Sequence, residues 1–293
     1  MKLNSSPIFH KKQDSLFALL DYSFIIYRAC SAAYKSYLGE VGMGMISTTD
    51  IADYRWADDH DYVATFNKIF FGTLKNISKY YMVPIHNIII CMDCSKRNIW
   101  RRDIFSEYKD NRIFVEHDPK APNFGSMFEY VKEKIIPSLG DKGIVTIQHN
   151  RCEGDDIIAI LTKYLLNEND DNIVNIIAND GDLKQLITNN RVKIITLEKD
   201  KIFDISNIDY KYEKFKKVLM GDKKDGVPSV HPRCGLKTAE KYWKNSDLLK
   251  EKLNESVDYV KQFKINQKMQ LFDSIPNIIN DEVVALYKEK LNG

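Results

Sequence analysis

The stretch Arg151–Ile187, RCEGDDIIAILTKYLLNENDDNIVNIIANDGDLKQLI, decides how the chain reads. Glu153, Asp155 and Asp156 open an apolar-periodic segment, and Asp180 and Asp182 follow a β-branched run, Ile173 to Ala178. A helix start and a strand end can project short side chains into one crevice, which in an open parallel sheet lies beyond the carboxyl ends of the strands. Carboxylates crowded there raise each other's pKa unless a cation neutralises them, and their hard oxygens suit Mg²⁺ or Mn²⁺. Acids at helix starts also serve as N-caps and dipole partners. The choice between the two readings rests on whether other strands end in Asp.

They do. Leu16 to Leu20 reads as a buried strand ending at Asp21, and Ile88 to Met92 as another ending at Asp93. Capping does not explain three such coincidences, whereas a parallel sheet delivers all of these carboxylates to one edge. Ile144–Gln148, Val192–Leu197 and Lys201–Phe203 complete the strands, and Tyr22–Tyr37, Tyr62–Tyr81 and Phe124–Ile136 read as helices between them. The expected fold class is α/β, a Rossmann-like, mostly parallel central sheet flanked by helices. Residues 1–13 read as a loose leader. The stretch from Gly39 to Asp59 reads as a long surface loop whose Asp50, Asp53, Asp58 and Asp59 are solvated or capping.

After Asp93 the charge changes sign. Lys96, Arg97, Arg101, Arg102, Lys109 and Arg112 alternate with Trp100, Phe105 and Tyr108, the mixture of phosphate partners and stacking faces expected of a single-strand-binding surface. From Ile208 the chain turns helical. Tyr210–Met220 carries Lys211, Lys214, Lys216 and Lys217, and Asp222 and Asp225 then open a Gly/Pro-broken turn. Gly235-Leu236-Lys237-Thr238-Ala239 starts the next helix, with backbone N–H groups suited to a phosphate. Leu271 to Asn292 reads as small packing helices.

Composition narrows the class. The chain has 293 residues, 44% hydrophobic and 29% charged, with a formal net charge of +2, ordinary values for a globular protein with a sizeable core. Its five scattered cysteines and lack of a signal peptide point to a reduced, intracellular setting, and the lone Cys91-x-x-Cys94 has no second pair to complete a zinc site. His149, a lone loop histidine, reads as structural. No apolar run reaches the length of a membrane span, and no GxxxxGK[ST] phosphate loop is present.

Taken together, Asp21, Asp93 in MDCSKRNIWRRDIFSEYKDNR, Glu153-Gly-Asp-Asp, Asp180-Gly-Asp182 and GDKKDGVPSV followed by GLKTA resemble the flap endonuclease and 5′→3′ exonuclease superfamily. Within it the phage ribonuclease H branch is most similar, and the likeness runs from about Leu16 to Asn277. The resemblance implies a PIN-like nuclease domain over 14–205 with a basic arch near 94–122. It also implies a helical C-terminal domain over 206–293 with a helix-turn-helix-like duplex-binding region. Two divalent ions, Mg²⁺ with Mn²⁺ able to substitute, would be held by Asp21, Asp93, Glu153, Asp155, Asp156, Asp180, Asp182, Asp222 and Asp225. Which of Asp155 and Asp156 touches metal stays open.

Lys109 and Arg112 would act on the scissile phosphate as catalytic cations, Tyr108 would stack on a base, and Arg101, Arg102, Lys237 and Thr238 would bind nucleic acid. The family's glycine-rich GVxGIGxKTA is here SVHPRCGLKTA, a departure that bears on a K⁺ site and on the duplex grip. The implied activity is 5′→3′ exonuclease, flap endonuclease and ribonuclease H cleavage near 5′ ends of RNA–DNA and DNA–DNA duplexes, removing primers in replication. A monomer in the cytoplasm, host cytoplasm if phage-encoded, would work with a sliding clamp and a single-strand-binding protein. The rival readings are a PIN-type endoribonuclease, which is usually far shorter, and a catalytically silent nucleic-acid-binding factor. A phosphatase of the haloacid dehalogenase type needs a DxD at the first strand, where residue 23 is Ser.

Overall fold

The computed structural model describes residues 14–41, 51–112, 121–197, 201–202 and 208–292. Its centre is a six-stranded sheet in the order β3-β2-β1-β4-β5-β6, built from β1 (Leu16–Asp21), β2 (Ile88–Met92), β3 (Val145–Gln148), β4 (Ile173–Ile177), β5 (Val192–Thr196) and β6 (Lys201–Ile202). The first five strands run parallel, and β6 joins β5 antiparallel at the edge. The fold is therefore the α/β class expected from the strand pattern.

Strand alternation divides the core. Ala18, Leu20, Ile88, Ile90 and Met92 face α1 (Tyr22–Val41), α2 (His60–Tyr80) and a helix that begins as α3 (Gly125–Tyr130). That helix passes through a π-helical stretch (Val131–Ile135) into α4 (Ile136–Gly140). Phe17, Leu19, Ile89, Ile147, Val174 and Ile176 face the other way, onto α5 (Gly154–Glu168). Covering both faces explains why the strands are apolar throughout rather than half polar.

The chain then builds α6 (Tyr210–Met220), α7 (Leu236–Lys244), α8 (Ser246–Asn254), α9 (Val257–Gln270) and α10 (Asn277–Asn292). Leu219, Val230, Ala239, Tyr242 and Leu249 form a separate small core there. α10 is one 16-residue helix, and its Ile279, Val283 and Tyr287 return to the core around α5. The helical part is therefore fastened to the sheet at its far end. Within the helical part, Asn266 of α9, fully buried, joins α9 to α6 and the turn after it by donating to the carbonyls of Val218 (2.8 Å) and Pro228 (2.9 Å).

The stretch expected to be a surface loop needs correction. α1 continues to Val41, and Trp56 is fully buried amid Tyr34, Tyr37, Tyr54, Tyr62 and Phe124. Asp59 caps α2 through the Tyr62 N–H (2.9 Å) and accepts the hydroxyls of Tyr37 (2.6 Å) and Tyr54 (2.8 Å). A lone tryptophan among polar residues carries no periodicity, so its burial was invisible to pattern reading. The leader (1–13), residues 42–50, and most of the proline-rich turn at 118–122 lie outside the described residues.

Trp56→Ala should cost about 3–5 kcal/mol of stability in urea unfolding, the usual toll for a large aromatic removed from a core. A loss under about 1 kcal/mol would return this segment to the surface.

Candidate active site

Parallel register places the acids. Asp21 is the last residue of β1 and lies opposite Cys91, two residues before Asp93, while Leu20 lies opposite Ile177, three residues before Asp180. β1 is central, with β2 on one side and β4 on the other, so this is the sheet edge where open α/β folds bind ligands. α5 points its N-terminus at the same edge. Gly154 lets it come close: a Cβ there would sit 3.0 Å from the Cys91 carbonyl oxygen and 3.4 Å from the Asp93 carboxylate. Asp93 accepts that Gly154 N–H at 2.8 Å and the Ser23 hydroxyl at 2.6 Å. These acids line an open cleft of about 1410 Å³, together with Glu153, Asp155, Asp182, Asp222 and Asp225.

Asp155 and Asp156 part company. Asp155 faces the cleft, where burial and then the charges of Asp21, Asp180 and Asp93 push its pKa well up. Asp156 is fully buried beneath it. Its oxygens accept Arg101 Nη1 and Nη2 (both 2.8 Å), Trp100 Nε1 (3.0 Å) and the Glu153 N–H (3.2 Å). Asp156 is thus corrected from candidate metal ligand to a member of a closed internal network. With Glu153 it forms a reciprocal capping box at the start of α5.

Three other expectations change for the same reason. Arg101 and Tyr108 are only 5% and 4% exposed, so neither is a nucleic-acid surface residue. Tyr108 donates its hydroxyl toward Glu153 (2.9 Å) and Asp225 (3.2 Å) instead of offering its ring to a base. Trp100 is equally buried, with its indole under the Arg101 guanidinium. Arg102 closes its own segment by donating to the Tyr108 carbonyl (2.6 Å) and Asp110 (2.8 Å). Among the described residues of this stretch, the exposed cations are Lys96 and Arg97.

Lys109 reaches the cleft from a left-handed backbone conformation, φ 63°, strain that a side chain keeps only when its surroundings hold it. Its N–H donates to the Asp225 carbonyl (3.0 Å), and its ammonium pairs with Glu153 and lies 3.8 Å from Asp225. Burial works against the Glu153 carboxylate, but Lys109 and Arg101 outweigh it and hold its pKa below the ordinary value. Arg112 ends a 3₁₀ turn, Asp110–Arg112, and its side chain lies outside the described residues.

Across the cleft Lys217 of α6 bridges Asp182 (2.7 Å) and Asp222 (2.9 Å). Burial raises the Asp182 pKa and Lys217 only partly offsets it, whereas Asp222 is held low by the same lysine against its burial. The sequence reading passed over Lys217 as one of four lysines on its helix. The only signal was its place one turn before Gly221, whose φ of 63° aims the turn back at it. A Cβ at Gly221 would collide with the carbonyl oxygens of Val227 and Pro228.

Lys237 is exposed at the first turn of α7, and Thr238 donates to the Arg233 carbonyl (3.3 Å). The turn before α7 keeps only Gly235, its N-cap, of the glycines the family pattern carries. Arg233 takes the left-handed conformation at φ 61°, and the buried His231 ring bonds the Pro232 carbonyl (2.9 Å) and the Tyr242 hydroxyl (3.1 Å). His149 is structural, as read, with Glu282 on one ring nitrogen (2.9 Å) and the Arg151 N–H (3.2 Å) on the other.

Comparison with known proteins agrees with this architecture. Residues 17–213 match the family model described as the 5′-3′ exonuclease, N-terminal resolvase-like domain. The chain is 28% identical over 227 residues to a ribonuclease H of Enterobacteria phage T4, covering 72% of this chain and 73% of that one. It is 34% identical over 178 residues to a 5′-3′ exonuclease of Buchnera aphidicola, covering 58% and 57% of the two chains. In three dimensions it is similar to a phage T5 flap endonuclease crystallised with DNA and metal ions, with TM-score 0.64, 17% identity, and 94% and 98% coverage.

The charge balance has a measurable consequence. Burial, with Asp93 and Asp180 nearby, raises Asp21 from 3.8 to about 7. A carboxyl with a raised folded-state pKa contributes stability that is fully present below its unfolded value and lost as pH rises through the folded one. In metal-free protein, stability should therefore fall between about pH 4 and pH 7, and Asp21→Asn should flatten that fall. Thermal melts in EDTA across this range test it; equal pH dependence in both proteins would contradict it.

Proposed function

The chain belongs to the flap endonuclease and 5′-3′ exonuclease superfamily of nucleases, and from that premise we propose that it hydrolyses phosphodiesters near 5′ ends with divalent metal ions. The substrates would be RNA–DNA and DNA–DNA duplexes with 5′ ends or flaps, as in removal of replication primers. A clamp and a single-strand-binding protein fit that setting as partners. The observation that carries the reading is the gathering of Asp21, Asp93, Asp155 and Asp180 at one end of a parallel sheet, where burial and neighbouring carboxylates raise the pKa of Asp21 and Asp155.

The donor set suits divalent ions. Every group is a carboxylate, and two of them, Asp21 and Asp155, are driven toward protonation by burial first and by neighbouring carboxylates next. Among the described residues no three His, Cys, Asp or Glu side chains are already arranged to hold an ion, so binding would require these carboxylates to reorient. Asp21, Asp93, Asp155, Asp180 and Asp182 would hold them, joined by Glu153, with Asp222 and Asp225 beside them. Mg²⁺, or Mn²⁺ in its place, supplies Lewis acidity that makes water a nucleophile at neutral pH and offsets charge on the leaving 3′ oxygen.

The protein's own part is orientation and charge. Asp93 is locked by Ser23 and the start of α5, so its free lone pairs face the cleft. Lys109 and Arg112, on the arch, would neutralise charge developing on the scissile phosphate, as fixed cations do most effectively in a site closed from water. Lys109 now rests on Glu153, so a phosphate entering the cleft would compete for the same ammonium. Lys237, Thr238 and the N–H groups at the start of α7 would hold the duplex backbone. No side-chain nucleophile is required.

Product lengths from a 5′-labelled flap and from an RNA-primed duplex, with Mg²⁺ and with EDTA, test the proposal. Cleavage should need the metal and release short 5′ products. Asp155→Asn should bring it below detection while DNA binding in EDTA persists, and Lys109→Ala should slow it by about 10²–10³-fold. Metal-independent turnover, or activity confined to free single-stranded RNA, would overturn the reading.

A further inference from the structure

Arg101 is the most completely occupied cation of the described residues, and none of its bonds reaches solvent. Its Nη1 and Nη2 grip both oxygens of Asp156 at 2.8 Å, Nη1 also reaches Glu153 at 3.2 Å, and Nε donates to the Met269 carbonyl at 2.8 Å. The guanidinium lies 4.6 Å from the centroid of the Trp100 ring, whose own N–H is spent on Asp156. One planar group therefore joins the base of the arch, the start of α5 and the end of α9.

Glu153 is held by this fork at two places. Its carboxylate takes a direct bond from Arg101, and its backbone N–H is fixed by Asp156, which Arg101 clamps. The neighbouring backbone is stitched to the same segment, with the Trp100 N–H on the Arg151 carbonyl (3.0 Å) and the Cys94 N–H on the Cys152 carbonyl (2.9 Å). Asp155 lies between Glu153's cap and Asp156, so the position of the α5 start sets the direction in which both cleft-facing carboxylates point. Lysine could supply the charge of Arg101 but not its planar fork, since an ammonium cannot present the fixed in-plane donors that serve a bidentate carboxylate at one edge and a carbonyl at another.

We propose that Arg101 is a positioning residue that sets the reach of Glu153 and Asp155 toward divalent ions, and that its bond to Met269 makes this setting depend on the docking of α9. The proposal rests on the reading of the cleft as a metal site. Removing groups that orient metal ligands typically weakens metal affinity or activity by about 10–100-fold. Arg101 is only 5% exposed and its bonds all go to protein groups, so it should act on metal affinity before it acts on nucleic-acid binding.

The test uses the full chain carrying Arg101→Lys, with Asp156→Asn as an isosteric second variant and Asp155→Asn as control. Calorimetric titration of Mn²⁺ into each protein is followed by cleavage rates against Mg²⁺ concentration and flap binding in EDTA. Arg101→Lys and Asp156→Asn should each weaken Mn²⁺ binding about 10–100-fold, with flap affinity within about twofold and cleavage recovering as Mg²⁺ is raised. If Arg101→Lys does not fold, Asp156→Asn alone carries the test through the same readouts. Unchanged Mn²⁺ affinity in a folded variant, or a loss of cleavage that Mg²⁺ does not rescue, would overturn the positioning role. If Asp155→Asn also binds Mn²⁺ and cleaves normally, the metal-site reading itself fails.

Discussion

Mutual repulsion among carboxylates at one edge of a parallel sheet is the constraint to which the rest of the molecule answers. Each cation near the cleft relieves part of it. Lys217 takes Asp182 and Asp222, Lys109 takes Glu153 with Asp225 close by, and Arg101 takes Asp156. The start of α5 adds its N–H groups and dipole to Asp93. Burial and like charge still drive ionisation back at Asp21 and Asp155, at the meeting of β1, β4 and α5, and at Asp182, where Lys217 only partly offsets them. Electrostatics thus marks the place where added positive charge has most to gain.

The same pairs do mechanical work. The segment 99–112 is joined to the turn after α6 through Lys109, Tyr108 and Asn111, the last donating to the Lys223 carbonyl at 3.0 Å. Arg101 joins it to α9, and Asn266 joins α9 to α6 and the turn. A duplex held at the start of α7 and a phosphate reaching Lys109 would therefore act on one connected body. Removing either member of the buried Arg101–Asp156 pair would leave an uncompensated charge, which is costlier than the pair's net worth.

Much of this was legible in the sequence because it repeats. Hydrophobic runs ending in Asp fix a parallel sheet and its acidic edge, and the fold followed from Asp21, Asp93 and Asp180 before any helix was placed. Where a residue's role depends on direction instead of position, the sequence was mute. Asp155 and Asp156 are adjacent and chemically identical, yet one turn of about 100° separates the cleft from the core. Alternating aromatic and basic residues look the same on a binding surface as in a buried network, so Trp100, Arg101 and Tyr108 were placed outside when they belong inside. Trp56 and Lys217 gain their meaning only from partners distant in sequence.

The central claim is that these anionic side chains are arranged to gather divalent ions beside Asp155 and away from Asp156. The most direct measurement is a crystal structure of the protein soaked in Mn²⁺, read from its anomalous difference density. The account predicts peaks among Asp21, Asp93, Asp155, Asp180 and Asp182, with Asp156 still on Arg101. Density absent from that cleft, or an ion coordinated by Asp156 with Arg101 displaced, would contradict it.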